Sequence, residues 1–156
     1  MSPLNWLETL APAVWLQHSE LAYLLVNAAH IASLGMLVGT IVSLDLLLLG
    51  VLRGPPLNQM GPFLSRMAAA GLALTLATGF WLFSVKATEY AANPAFLVKV
   101  FLIILGAGNA LWLHAGKHWR AALATLRTSM ALRVHAAVSI LIWLGAVVAG
   151  RWIGFL

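Results

Sequence analysis

The chain contains no cysteine and very few charged residues. The absence of cysteine excludes disulfides, thiolate metal sites, iron–sulfur clusters and the CxxCH attachment of c-type haem. Only 8% of the 156 residues are charged and 62% are hydrophobic, whereas about 25% are charged in a typical soluble domain. Because water cannot wet such a surface, the composition predicts an integral membrane protein. The short chain predicts a single transmembrane domain over residues 1–156.

Four apolar segments are long enough to cross a membrane, which takes about 20 residues for ~30 Å of hydrocarbon. Lipid cannot satisfy free backbone groups, so each segment is either a helix or a strand of a closed barrel. Period-two alternation is absent, which leaves helices. The sequence therefore predicts an all-α fold, a four-helix transmembrane bundle. Its membrane helices are expected at about 21–49, 63–85, 95–115 and 134–153.

Small residues recur at four-residue spacing in each apolar segment, a pattern typical of helices that pack closely. They are Gly35 and Gly39 in the first segment, Gly71, Thr75 and Gly79 in the second, Gly106 and Ala110 in the third, and Gly150 and Gly154 in the fourth. We expect these positions to lie at helix contacts.

The N-terminal segment differs from the rest of the chain. Apolar residues, including Trp6 and Trp15, share one face at helical spacing between residues 3 and 17. Tryptophan prefers headgroup depth, so the segment predicts a helix that lies in the interface or caps the bundle. It lacks a basic region followed by an unbroken apolar run, so we do not interpret it as a cleaved signal peptide.

Basic residues are distributed unevenly between the two ends of the predicted bundle. The end that holds the N-terminus, called side A, carries Lys86, Lys99 and Arg151. The opposite end, side B, carries Arg53, Arg66, Lys117, Arg120, Arg127 and Arg133. Six basic residues against three predict that side B is cytoplasmic and that both termini face outward. The high pI then reflects topology, and nucleic acid is not an expected partner.

Ionisable residues within the apolar segments are the main functional candidates, because such groups are costly in lipid and usually face the bundle interior. His30 and Asp45 lie on the first helix, and Lys99 and His114 lie on the third. Each pair is fifteen residues apart, about 22 Å along a helix and about 60° around it. The two helices run in the same direction, so His30 and Lys99 share a level near side A, the outer level. Asp45 and His114 share the inner level, near side B.

Further polar residues fall at the depth of the inner level. Arg66 and Arg133 begin the second and fourth helices, and His135 lies one turn beyond Arg133. Asp45 in "SLDLLLLG" needs a partner, and Arg66 across the short loop is the expected one, as a structural pair. The alternatives are that Lys99 snorkels outward, that the arginines anchor helix ends, and that the inner histidines are hydrated.

The order of motifs resembles an uncharacterised family of small bacterial four-helix membrane proteins, a domain of unknown function. The motifs are "AHIASLGMLVGTIVSLDLLLLG", "TGFWLF", "NPAFLVKVFLIILGAGNALWLH" and "SILIWLGAVVAGRWIGFL". That family usually has arginine where this chain has Leu47, and His135 lies outside its pattern. A remoter likeness is to copper-resistance-D and HemJ-type membrane proteins, with His30 and Lys99 at the matching positions. The resemblance implies the bacterial inner membrane, and with side B cytoplasmic both termini are then expected to be periplasmic.

Three functions are open at this point. The first is b-type haem binding with electron transfer, because haem needs axial ligands and cations for its propionates. The candidate cofactor-binding residues are His30, His114, His135, Lys99, Arg66 and Arg133. The second is metal or small-solute transport with His30 and His114 as metal ligands. The third is an accessory or assembly subunit without catalysis. Expected partners are bilayer lipid and either a second copy of the chain or a redox partner.

Overall fold

The structure, a computed structural model, describes residues 3–155. Within that range it is almost entirely helical and contains no strand, which confirms the predicted all-α class. The helices in chain order are α1 (Pro3–Glu8), α2 (Ala11–His18), α3 (Glu20–Leu49), α4 (Leu57–Val85), α5 (Ala87–Ala92), α6 (Pro94–Ala115), α7 (Lys117–Thr125) and α8 (Met130–Trp152), followed by a 3-10 turn at Ile153–Phe155.

Helices α3, α4, α6 and α8 are long and apolar enough to cross a membrane. They contain 30, 29, 22 and 23 residues. At about 1.5 Å per residue each exceeds the ~30 Å of hydrocarbon. Their outward faces carry many large apolar side chains, such as Phe101, Trp112 and Leu141. The chain is a multi-pass integral membrane protein, and its helices contact the lipid bilayer.

Polar side chains fix where the membrane helices begin. The Ser19 hydroxyl accepts a hydrogen bond from the Ala22 amide (3.2 Å) at the start of α3. The Asn93 carboxamide accepts from the Ala95 amide (2.9 Å) at the start of α6. Both bonds satisfy amides that have no partner within the helix. Helix α3 ends at Gly50, which adopts φ 77°, a conformation that glycine tolerates without strain.

The four membrane helices pack in the order α4, α3, α8 and α6. Helices α4 and α6 meet through side chains at both ends of the bundle. Near side A the rings of Phe83 and Phe96 stack at 5.3 Å between centroids. Near side B the Ser65 hydroxyl lies 2.7 Å from His114 Nε2. These two contacts close the helices into a four-helix bundle.

Two apolar clusters fill the bundle. The central apolar cluster contains Leu37, Ile41 and Trp143, with Ala68, Leu72 and Ile103 packed against it. The inner apolar cluster lies toward side B and contains Leu44, Leu48, Leu57, Leu64, Leu113, Trp119, Ala122, Leu132 and Ala136. Helix α7 contributes Trp119 and Ala122, which hold this amphipathic helix against the side-B end of the bundle.

The N-terminal segment differs from the single predicted helix over 3–17. It breaks at Thr9 and Leu10 into α1 and α2, with Pro12 in the first turn of α2. Proline has no amide hydrogen, so it cannot bond to the carbonyl of Glu8 and continue the first helix. The side chain of Gln17 donates to that carbonyl instead (3.1 Å), and also to the carbonyl of Val85 (3.1 Å). Both short helices are thereby tied to the end of α4.

Other boundaries also move. Helix α4 begins at Leu57, six residues before the predicted start, and passes through Pro62. Pro62 has no amide hydrogen to donate to the carbonyl of Asn58, four residues earlier, and Asn58 is exposed. The break predicted between the second and third segments contains α5, whose Tyr90 packs on Phe83 and Phe96. Burial raises the pKa of Tyr90 to about 12.

Candidate functional site

His30 is the buried ionisable group of the outer level. Its Nδ1 lies 2.9 Å from the Thr78 hydroxyl oxygen. The Thr78 hydroxyl donates its own proton to the Leu74 carbonyl (2.7 Å), so it accepts from His30. This hydrogen-bond pattern assigns the proton to Nδ1 and leaves the lone pair on Nε2. A histidine that donates through one nitrogen and presents the other is oriented in the manner of a metal ligand.

Two glycines make room for the side chains of the outer level. The imidazole packs on Gly79, where an added Cβ would lie 2.9 Å from His30 Cε1. The Lys99 side chain runs along Gly150, where an added Cβ would lie 3.4 Å from both Cδ and Cε. These two small residues let α3 present His30 to α4, and α6 present Lys99 to α8.

Lys99 lies within electrostatic range of His30, while its side chain packs along α8. The structure therefore places these two predicted residues in the same region of the bundle. In residues 3–155 the ion pair is that of Lys86 with Glu89 (2.9 Å), both exposed, so Lys99 has no carboxylate within salt-bridge distance there. The outer level therefore contains the His30 imidazole and a lysine without an acidic partner in that range.

Three small polar residues complete the outer level and were missed from the sequence. Besides Thr78, these are Ser33 and Thr75, both buried. The Thr75 hydroxyl donates to the Ser33 oxygen (3.1 Å), and Ser33 donates to the His30 carbonyl (2.8 Å). The available signal was their spacing: Ser33 lies three residues after His30, and Thr75 lies three residues before Thr78. Hydroxyl groups at such spacing share a helix face.

The inner level differs from its prediction at Asp45. The predicted ion pair of Asp45 with Arg66 does not form: Asp45 is buried, Arg66 is exposed, and no salt bridge joins them. Two residues at the same depth meet only if their helices turn them toward each other. Ser65 faces the bundle, where it bonds to His114. Because each residue of a helix is rotated by about 100° from the one before, Arg66 points outward. The Ser139 hydroxyl of α8 interacts with the Asp45 carboxyl instead.

His114 is held at both ring nitrogens. Nε2 lies 2.7 Å from the Ser65 hydroxyl, and Nδ1 lies 2.7 Å from the carbonyl of Ala110, one turn earlier in α6. Its ring also packs on Trp119 at 4.6 Å between centroids. Neither nitrogen can bind a metal without breaking one of these hydrogen bonds. The arrangement fits helix packing better than ligation.

His135 bonds to Asn109 of α6 rather than to His114 of the same helix. Its Nδ1 lies 2.7 Å from Asn109 Oδ1, while Asn109 Nδ2 donates to the His135 carbonyl (3.2 Å). Asn109 and His114 are five residues apart on α6, about 140° around the helix. The two histidines therefore lie on different faces, and the structure does not bring them together. Arg133 is exposed, with its Nε 3.4 Å from the Thr128 hydroxyl.

The geometry gives little support to a metal path. The partners of His30 and His114 on α4 are Thr78 and Ser65, thirteen residues or about 20 Å apart. No group of three or more histidine or acidic residues gathers in the part of the chain that the structure describes. Between the two levels, Leu37 and Gly71 bring α3 and α4 into backbone contact, since a Cβ on Gly71 would lie 2.8 Å from the Leu37 nitrogen.

Comparisons with protein-family models, curated proteins and solved structures found no match to this chain. The outer level, centred on His30 and Lys99, is therefore the candidate site on geometry alone.

Proposed function

We propose that this membrane protein binds a b-type haem at the outer level, with His30 as an axial ligand. The observation that carries the proposal is the hydrogen bond from His30 Nδ1 to Thr78, which leaves the lone pair of the imidazole on Nε2. Axial histidines of haem proteins commonly have such a second hydrogen bond, which fixes the ring orientation and strengthens the ligand. The missing side chain of Gly79 also lets the flat imidazole of His30 pack against α4, and this contact restrains rotation of the ring.

Lys99 supports the same proposal. A haem carries two anionic propionates, and a cation in low-dielectric surroundings is a strong partner for them. Lys99 lies within electrostatic range of His30 and has no carboxylate partner within residues 3–155. A bound haem would supply one-electron transfer, for which a redox partner is needed. The residues of the chain would bind the group, hold the histidine tautomer and exclude water.

The inner level fits a haem less well. His114 has both ring nitrogens hydrogen-bonded, and Arg66 and Arg133 are exposed rather than turned toward it. His135 has one nitrogen engaged by Asn109, but no second histidine faces it. We therefore place the proposed ligand at His30 and not at a His114–His135 pair.

The test is the pigment of the full chain purified from membranes. We expect a reduced-minus-oxidised spectrum with a b-type α band, and haem extractable without covalent attachment. His30→Ala should abolish haem retention, whereas His118→Ala, an exposed histidine on α7, should retain it. A colourless protein from haem-replete cells, or a His30→Ala variant that keeps its haem, would refute the proposal.

A non-catalytic accessory subunit is the second candidate. The observation that favours it is the local pairing of the inner histidines with Ser65 and Asn109, which fixes the rotation of α6 against α4 and α8. In this alternative, the hydrogen bond of His30 to Thr78 likewise only fixes the rotation of α3 against α4. The two candidates differ in the spectrum: an accessory subunit lacks pigment, and its His30→Ala variant loses stability only.

We further propose that side B is cytoplasmic and that the protein lies in a bacterial inner membrane. The six side-B basic residues named above are all exposed, as the positive-inside rule requires of topology signals. Because the chain has no cysteine, single cysteines report orientation cleanly. In intact cells, an impermeant maleimide should label Thr9→Cys on side A and not Ala124→Cys on side B. The reverse labelling pattern would show that side A, and not side B, is cytoplasmic.

A further inference from the structure

Asp45 is a buried acid that the proposed haem site does not use. Only 3% of its surface is exposed, and its Oδ2 has no hydrogen-bond partner. It is the only aspartate in the chain. The other buried side-chain atom without a partner in the described part of the chain is Trp143 Nε1, which belongs to a neutral indole. An unpaired carboxylate would be far more costly than an unpaired indole in such surroundings.

Apolar clusters lie on both sides of this carboxyl along α3. Ile41, one turn earlier, belongs to the central apolar cluster, and Leu48, one turn later, belongs to the inner apolar cluster. Asp45 is therefore separated from side A and from side B by packed hydrocarbon.

None of the charged groups on the surrounding helices neutralises Asp45. Salt-bridge geometry is absent between Asp45 and any cation in residues 3–155. Arg66 of α4 and Arg133 of α8 are exposed, as are the α7 residues Lys117, His118 and Arg120. The titratable groups nearest in depth are engaged elsewhere: His114 with Ser65, and His135 with Asn109. The Ser139 hydroxyl is a neutral group.

We propose that Asp45 is a proton-binding site inside the membrane, occupied at neutral pH as the uncharged carboxylic acid. Proton binding forms an O–H bond on one carboxylate oxygen and cancels the only negative charge in the bundle core. Loss of that proton leaves a carboxylate with no cation, so ionisation must either open the bundle or admit a cation. The site is independent of the haem proposal, because Asp45 lies on the inner level and His30 on the outer level.

The experiment is infrared spectroscopy of the full chain in lipid nanodiscs at neutral pH. The chain has only four acidic side chains, so a protonated carboxyl gives an assignable carbonyl band. We expect this band in the wild type, its shift after transfer to heavy water, and its loss in Asp45→Asn. The control Glu20→Gln removes an exposed carboxyl at the start of α3 and should retain the band. A wild type with carboxylate bands only would overturn the proposal.

A second measurement needs no variant and covers the case in which Asp45→Asn fails to fold. Hydrophobic carbodiimides react with protonated carboxyl groups inside membranes. We expect dicyclohexylcarbodiimide to modify Asp45 of the wild type at neutral pH several-fold faster than Glu8, Glu20 or Glu89, as quantified by peptide mass spectrometry. Modification of the glutamates alone, or of none of the four, would contradict a neutral Asp45.

Discussion

The imidazole of His30 rests directly on Gly79, so that a methyl group at position 79 would meet Cε1 at 2.9 Å. Gly79→Ala should therefore displace the ring from Thr78 or separate α3 from α4. We expect a loss of about 1–3 kcal/mol of stability, the usual range for overpacking, and lower haem retention if the proposed function holds. Unfolding in mixed detergent micelles measures the first effect, and the pigment spectrum measures the second.

The matched control is Gly108→Ala on α6, where an added Cβ meets no heavy atom within 4 Å. Alanine has the higher helix propensity, so this variant should be neutral or slightly stabilised. Equal stability of the two variants would show that His30 does not depend on the glycine.

The contact of Gly71 with Leu37 predicts a larger effect on helix packing. A Cβ at position 71 would lie 2.8 Å from the nitrogen and 2.9 Å from the Cα of Leu37. Backbone atoms cannot rotate away, so α3 and α4 must move apart. We expect Gly71→Ala to cost toward the upper end of the ~1–3 kcal/mol range, again by detergent unfolding.

Gly39→Ala is the control for that variant, because Gly39 meets no heavy atom within 4 Å in the structure. The sequence pattern of Gly35 and Gly39 predicts a helix contact, yet both residues are exposed in the single chain. If Gly39→Ala proved the more destabilising of the two, the described packing of α3 on α4 would be wrong.

Glu8 makes the attachment of the N-terminal segment to Thr88 depend on pH. Its Oε1 accepts from the Thr88 amide (2.9 Å) and from the Thr88 hydroxyl (2.7 Å). These hydrogen bonds lower the pKa of Glu8 from its ordinary value of 4.5. A lowered folded-state pKa means that the contact stabilises fully above pH ~4.5 and is lost as pH falls through the lower folded-state pKa.

Amide hydrogen exchange at Thr88 checks this expectation. The exchange of the wild type, relative to Glu8→Gln at the same pH, should accelerate as the pH falls through the lowered pKa of Glu8, because protonation removes the acceptor of the Thr88 amide while the glutamine does not titrate. The ratio of the two rates removes the intrinsic pH dependence of exchange. A constant ratio across the acidic range would mean that the carboxylate does not hold this segment.

Arg66 should be dispensable for stability. It is exposed and has no carboxylate partner among residues 3–155, so Arg66→Gln should change the free energy of unfolding by no more than about 0.5 kcal/mol. A buried Asp45–Arg66 ion pair would instead lose about 3–5 kcal/mol when one partner is removed. Unfolding in detergent distinguishes these outcomes. A loss of unfolding free energy in the larger range would show that the ion pair expected from the sequence does form.

Several features follow from local sequence. Ser19, Asn93 and Gly50 carry recognisable start and stop signals, and the observed helix ends lie close to them. Helix α5 was missed because six residues are too few to show periodicity. The division of the N-terminal segment was missed because Pro12 is tolerated in the first turn of a helix and therefore gives no warning of a break before it.

The sequence by itself determined that this chain crosses a membrane with four helices and that its ionisable residues fall at two depths. Hydrocarbon accepts only hydrogen-bonded backbone and long apolar runs, and position along a helix fixes depth. Only the tertiary structure decided which groups meet at each depth: Thr78 for His30, Ser65 for His114, Asn109 for His135, and no cation for Asp45. The reason is rotation, because the facing of each helix is set by close packing at residues such as Gly71 and Gly79, which no single segment encodes.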